Sequence, residues 1–376
     1  RGTFTLAPWM VYMAAAMSML VMPFAPGAIA ADFNIGIVYF FAVLGLGRFL
    51  LATTLLLLLT VPTAFVIIQM EMKIIAQLAL RFGPNRVGPR GIFQSSIHGF
   101  KVLAKEDTVP DQADRSTFTL APWMVYMAAA MSMLVMPFAP GAIAADFNIG
   151  IVYFFAVLGL SVVGLLVAGW ASYNKYSLLG GLRSAAQMVS YEIPLTLSIV
   201  GAVVLAGTLS FSDLIAWQLE HGWLLIWQPI GLGIFYVASL AEINRTPFDM
   251  VEADSELVAG PFTEYSGMRF GFFFFAEYVA LFIMSGILIS LFFGGWLAPW
   301  PFPAELGGFA GTLYGIFWFF LKTYLFVTIA VWLRGTLPRV RVDQLMGMAW
   351  KVLLPLALVN LFVTAIAVVV FDIKGI

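Results

Sequence analysis

The sequence predicts an all-α polytopic membrane protein: eight core transmembrane helices, an interfacial amphipathic helix and an anomalous N-terminal duplicated segment. Three observations lead there. The chain is 62% hydrophobic and 10% charged, with a mean hydropathy of +0.97, whereas soluble domains carry about a quarter charged residues. Apolar runs of about 20 residues recur, the length a helix needs to cross the hydrocarbon at about 1.5 Å per residue. Successive loops alternate between basic and base-free, the pattern of a chain threaded back and forth across a membrane.

The apolar runs lie at about 48–70, 117–138, 148–170, 185–208, 223–243, 270–292, 309–333 and 352–371. They lack the short alternating segments of a barrel. Loop 71–116 carries Lys73, Arg81, Arg86, Arg90, Lys101, Lys105 and Arg115. Bases recur at Lys175 and Arg183, at Arg245 and Arg269, and at Arg334, Arg339, Arg341 and Lys351. The intervening loops 139–147, 209–222 and 293–308 contain no Lys or Arg. The charged loops are therefore expected on the cytoplasmic side.

Within loop 71–116, "RFGPNRVGPRG" at 81–91 is broken by glycine and proline and reads as turns. After it Phe93, Ile97, Phe100 and Ala104 recur at helical spacing beside Lys101 and Lys105. The run is too short to span and reads as an amphipathic helix at the membrane surface, in contact with lipid. Residues 3–46 recur letter for letter at 117–160. Old internal repeats survive as weak similarity, so identity points to a very recent duplication or an error of sequence assembly. Residues 1–47 are therefore set apart from a membrane domain at 48–376.

Composition also excludes chemistry. The absence of cysteine removes disulfides, thiolate metal sites and cysteine-held iron–sulfur clusters. His98 and His221 are far apart, so a metal centre is not expected, and no glycine-rich nucleotide loop stands at a strand-to-helix turn. The net charge of −1 gives no sign of nucleic acid. Any redox cofactor must sit on a partner or be a lipid-soluble ligand.

What remains is charge at membrane depth. Glu192, Glu242, Glu277 and Lys322 fall within or at the ends of spans, where ionisable groups are costly and need a reason. One loop, "AEINRTPFDMVEADSELVAGPFTEYSG" at 241–267, gathers Glu242, Asp249, Glu252, Asp254, Glu256 and Glu264 against the single base Arg245. Its apolar and turn residues suggest a loop folded against something. Crowded carboxylates respond to protons as a group.

Five blocks carry a resemblance: "EMKIIAQLALRFGPNRVGPRG" (71–91), "KEDTVPDQADR" (105–115), "GWASYNKYSLLGGLRSAAQMVSYE" (169–192), "RTPFDMVEADSELVAGPFTEYSGM" (245–268) and "LPRVRVDQLMGMAWKVLLPL" (337–356). Over about 48–376 the chain resembles the H-subunit family of bacterial NADH-quinone oxidoreductase, respiratory complex I. The resemblance implies a subunit of a proton-translocating enzyme in the bacterial cytoplasmic membrane, with no redox centre of its own. NADH, FMN and iron–sulfur clusters would belong to partner subunits, and a quinone (ubiquinone or menaquinone) would be the substrate. The implied partners are the peripheral-arm iron–sulfur and quinone-site subunits and the small and antiporter-like membrane-arm subunits. Quinone would enter between the first span, the amphipathic helix and the sixth span.

The resemblance maps relay glutamates onto Glu192 and Glu242 and an acidic loop onto Asp249, Glu252, Asp254, Glu256 and Glu264. It maps chamber-mouth positions onto Glu71, Lys73 and Arg81. To the chamber we add Arg86, Phe93, Arg245, Phe248 and Arg269, with Asp249 and Glu264; to the relay we add Glu277 and Lys322, with Glu252, Asp254 and Glu256. The chain departs from the family at Met72, where Arg is usual, and at His98, where Asp is usual. It has Ser161 near where some members carry a further Glu. Two other readings stay open on these residues: the homologous membrane subunit of a hydrogenase-type or other-donor complex, and a stand-alone proton-linked transporter.

Overall fold

The computed structural model describes residues 58–250, 257–299 and 308–370. The duplicated segment and the expected relay residues Glu252, Asp254 and Glu256 lie outside them. The described residues form an all-helical bundle. Its elements are α1 (Leu58–Leu78), α2 (Gln94–Leu103), α3 (Arg115–Ser132), α4 (Gly150–Ala171), α5 (Lys175–Ala206) and α6 (Phe211–His221). They continue with α7 (Leu224–Trp227), α8 (Pro229–Glu242), α9 (Gly267–Phe292), α10 (Gly308–Thr336), α11 (Val342–Met348) and α12 (Leu354–Val370). A π-turn, Ala349–Leu353, joins α11 to α12 in one continuous rod.

Seven helices among the described residues are long and apolar enough to cross a membrane. The fifth of the eight expected spans, 223–243, is instead the short α7 and the 14-residue α8. At about 1.5 Å per residue α8 is about 21 Å long, less than the roughly 30 Å hydrocarbon core. Gln228 and Pro229 cause the break, because proline opens a helix at its first turn but cannot continue one. Two more boundaries move. Helix α1 runs on to Leu78, so Glu71 and Lys73 are helical. Helix α5 starts at Lys175, where the Asn174 side chain accepts from the Tyr176 N–H and caps it.

The loops at one end of the bundle close on one another. Arg269 pairs with Asp107, Ser266 with Thr108, Asn174 with Glu264, and the Val340 N–H donates to the Pro247 carbonyl. The Ser177 hydroxyl donates to the Pro261 carbonyl, and Gly180 lets the 260–262 turn lie on α5. A Cβ at Gly180 would stand 2.5 Å from the Gly260 Cα. Tyr265 stacks on Phe118 with ring centroids 4.0 Å apart, which fixes that turn to α3.

Helix α2 lies where the amphipathic pattern placed it, with a particular facing. Ser95, Gly99 and Val102 turn toward α1 and α9, and a Cβ at Gly99 would meet the Phe65 ring at 2.8 Å. The apolar stripe Phe93, Ile97 and Phe100 points out of the protein, with Phe100 68% exposed. An exposed apolar stripe flanked by lysines suits a membrane surface.

Candidate functional site

The site begins where α1, α9 and α10 meet the turn that follows α8. Arg245 is only 4% exposed. Its Nη1 donates to Glu71 Oε2 at 2.7 Å, and its Nε lies 2.6 Å from Glu277 Oε1. Arg334, in the last turn of α10, pairs with the other oxygen of Glu71. The guanidinium of Arg245 also lies over the Tyr278 ring, 4.2 Å from its centroid. Two carboxylates and two guanidiniums thus alternate along a chain, Arg334–Glu71–Arg245–Glu277. Burial by itself disfavours the charge on Arg245, but Glu277 and Glu71 more than offset this and hold the guanidinium above its ordinary pKa. Asp249, on the same turn, lies near enough to Glu277 for their charges to interact.

Glu277 also faces a cavity of about 80 Å³, shared with Glu242, Asn244, Ser161, Met188 and Phe274. That volume is ample for water. Glu242 is 2% exposed. Neither of its oxygens, nor Asn244 Oδ1, has a hydrogen-bond partner among the described residues. Charge on Glu242 therefore meets no local donor, and burial penalises it. Glu192 is half-buried on α5, facing α4 near Gly159, and its charge interacts with that of Glu242. The Ser161 hydroxyl donates to the Leu158 carbonyl at 2.6 Å, so a neutral group lines the cavity there.

A second cavity, of about 50 Å³, lies between α1, α2 and α9, lined by Phe65, Ile68, Ser95, His98 and Gly99. Phe270 and Phe274 line both cavities, so two rings of α9 separate them. His98 thus stands at the place where quinone was expected to enter.

The expected residues are not all gathered. Phe248 is buried beside the cluster, 6.0 Å from the Tyr191 ring. Lys73 donates to the Pro84 carbonyl at 2.5 Å and ties α1 to the glycine–proline turn. Arg81, Arg86 and Phe93 are exposed on that turn and at the start of α2. Arg269 pairs with Asp107 at 3.2 Å, and Glu264 accepts from Asn174 at 2.6 Å, both in the loop layer. Lys322 stands apart, at the far end of α9, where its ammonium donates to the Phe293 and Leu297 carbonyls at 2.8 Å each. Sequence reading missed Arg334 as a cluster member and Tyr278 as its aromatic floor. Arg334 had one signal, its place in the last turn before "GTLPR", but as a loop base it was indistinguishable from Arg339 and Arg341. Among the described residues no group of three or more His, Cys, Asp or Glu could hold a metal ion.

Comparison with known proteins gives a consistent pattern. A family model described as NADH dehydrogenase matches residues 50–365. The chain is 48% identical over 320 residues to the NADH-quinone oxidoreductase H-subunit of Brevibacillus brevis, covering 85% of this chain and 93% of that relative. It is 48% identical over 313 residues to the same-named protein of Geobacillus kaustophilus, covering 82% and 91%. It is 44% identical over 310 residues to that of Dehalococcoides mccartyi, covering 82% and 84%.

Proposed function

The chain belongs to the H-subunit family of NADH-quinone oxidoreductase, and from that premise we propose that it walls part of the quinone chamber and couples quinone reduction to proton translocation through buried carboxylates. It is a multi-pass membrane component of an enzyme complex. One observation carries the proposal: Glu277 belongs both to the ionic chain Arg334–Glu71–Arg245–Glu277 and to the cavity that holds Glu242.

The physical argument runs from the loops inward. Reduction of a quinone to a quinol takes two electrons and two protons, with the electrons supplied by partner subunits that carry FMN and iron–sulfur clusters and oxidise NADH. The two cavities beneath the loops, of about 80 and 50 Å³, are far smaller than the roughly 300 Å³ at which ligand pockets begin. This supports a chamber completed by peripheral-arm subunits against the loop end of this chain. The outward apolar face of α2 and the cavity at His98 support access from the bilayer between α1, α2 and α9. A negative charge forming in such a site repels nearby carboxylates, more strongly in a low dielectric. Asp249 and the Glu71–Arg245–Glu277 chain would feel it first. A shift of Arg245 toward the new charge would leave Glu277 less compensated, and a proton from the shared cavity would neutralise it. Glu242 and Glu192 then lead on toward the membrane-arm subunits, which include small and antiporter-like ones. We place the loop end on the cytoplasmic side of a bacterial cytoplasmic membrane, because the basic loops all lie there.

The experiment is Glu242→Gln in the whole complex, reconstituted in liposomes. The amide keeps the volume and removes the titratable proton. Assembly should be retained, while protons moved per NADH oxidised should fall by at least half. A wild-type ratio at a wild-type quinone rate would remove Glu242 from the relay.

A further inference from the structure

Gln187 lies on the inner face of α5 and is 1% exposed. Its Nε2 donates to two carbonyls at once, Ala241 at 2.7 Å and Phe248 at 2.8 Å. Ala241 precedes Glu242 in the last turn of α8. Phe248 belongs to the turn that carries Arg245 and Asp249. One side-chain amide therefore ties the relay carboxylate's backbone to the backbone of the loop that bears the ionic cluster. Both neighbours are carbonyl oxygens, which only the NH₂ side of the amide can satisfy. The other side, Oε1, is buried with no partner among the described residues. A buried polar atom left unsatisfied is costly and calls for a reason beyond simple packing.

The same face of α5 carries a second tie. Tyr191, one turn on, donates its hydroxyl to the Leu345 carbonyl at 2.8 Å and touches Phe248. Leu345 lies just before the π-turn, and Val340 upstream donates to the Pro247 carbonyl. Glu192 follows directly on α5. Gln187 and Tyr191 thus fasten the cluster-bearing loop to the helix that carries one relay carboxylate and to the end of the helix that carries the other.

We propose that Gln187 is a positioning residue: a neutral strut that makes Glu242 follow displacements of the 245–250 loop, so that a charge change at the chamber is felt as movement at the relay. It touches neither substrate nor reacting atoms, and it carries no proton itself. The inference rests on the reading of Glu242 as a relay carboxylate, so both residues are tested together.

The experiment compares Gln187→Met, Glu242→Gln and wild type as complete complexes in liposomes. It reads protons moved per NADH oxidised, together with kcat and KM for a short-chain quinone. Methionine keeps the volume and removes both donors. The expected result is a proton ratio lowered at least twofold in Gln187→Met, with kcat reduced and KM within twofold of wild type. A wild-type ratio in Gln187→Met beside a lowered one in Glu242→Gln overturns the strut and leaves the relay standing. Wild-type ratios in both overturn the relay reading, and the strut with it. A lowered ratio in Gln187→Met beside a normal one in Glu242→Gln overturns the strut's route through that carboxylate. If Gln187→Met does not assemble, Gln187→Asn, whose amide is one methylene short of both carbonyls, takes its place in each comparison. Failure of both to assemble shows a structural bolt and overturns the proposal.

Discussion

Two sites in this bundle hold charge at membrane depth, and they solve the same problem differently. At the loop end Glu71, Arg245, Glu277 and Arg334 neutralise one another. At the far end Lys322 meets no carboxylate among the described residues and is held by the backbone carbonyls of Phe293 and Leu297, with the Trp223 ring 5.8 Å away. The Phe293 carbonyl caps the end of α9, where a helix leaves acceptors unpaired and favours a cation, and the Leu297 carbonyl belongs to the loop that follows. A set of mobile side-chain charges can exchange partners when one is protonated. An ammonium fixed on backbone carbonyls cannot. The contrast is between charge held by side-chain partners that can be swapped and charge held by backbone acceptors that cannot.

The largest effect that would break this comparison comes from the shared cation. Arg245→Met leaves Glu71 and Glu277 without their common partner, and removing one member of a buried pair costs about 3–5 kcal/mol. Quinone reductase activity per assembled complex should fall at least tenfold, or the complex should fail to accumulate. More than half of wild-type activity would mean that the cluster is not a unit. An intermediate effect belongs to Lys322→Met. It strands two carbonyls, at about 1–3 kcal/mol each, so the complex should lose activity sooner on heating. Protons moved per NADH should stay at the wild-type ratio, because the site has no exchangeable partner. A ratio lowered as far as in Glu242→Gln would place Lys322 in the relay, as the sequence reading had it, and erase the contrast. The smallest effect lies outside both sites, at Asp114, whose carboxylate caps α3. The Thr117 hydroxyl, then the Ser116 N–H, holds its pKa below the ordinary 3.8. A depressed carboxylate stabilises above its unfolded value and loses that contribution as pH falls through its folded value. Amide exchange at the start of α3 should be faster in Asp114→Ala than in wild type at neutral pH, and the two should converge below pH 3.8. Equal exchange at neutral pH would show that the cap contributes nothing.

Much of the fold was legible because a membrane reduces it to local signals. Long apolar runs gave the spans, the basic loops grouped the ends that converge, and the 93–104 periodicity placed α2. The misses were local too. The fifth run looked long enough because hydropathy passes smoothly through Gln228–Pro229, where the backbone breaks. Glu71 and Lys73 read as loop residues because charge ends an apolar window even where the helix continues.

The site was legible residue by residue but not pair by pair. Glu192, Glu242 and Glu277 declare themselves by being carboxylates in oil, and a one-dimensional rule is enough to flag them. By itself, then, the sequence determined the membrane class, the helix order and that Glu192, Glu242 and Glu277 lie on apolar helices, since each follows from a residue and its near neighbours, whereas the buried Glu71 and Arg245 read as loop charges. Only the tertiary structure decided that Arg334 meets Glu71 across 263 residues, that Arg245 is shared between two carboxylates, that Glu242 is left without a donor, and that Lys322 stands apart. The physical reason is that burial is a property of one position in a helix, whereas an ion pair depends on the packing of several helices, which no periodicity along the chain encodes.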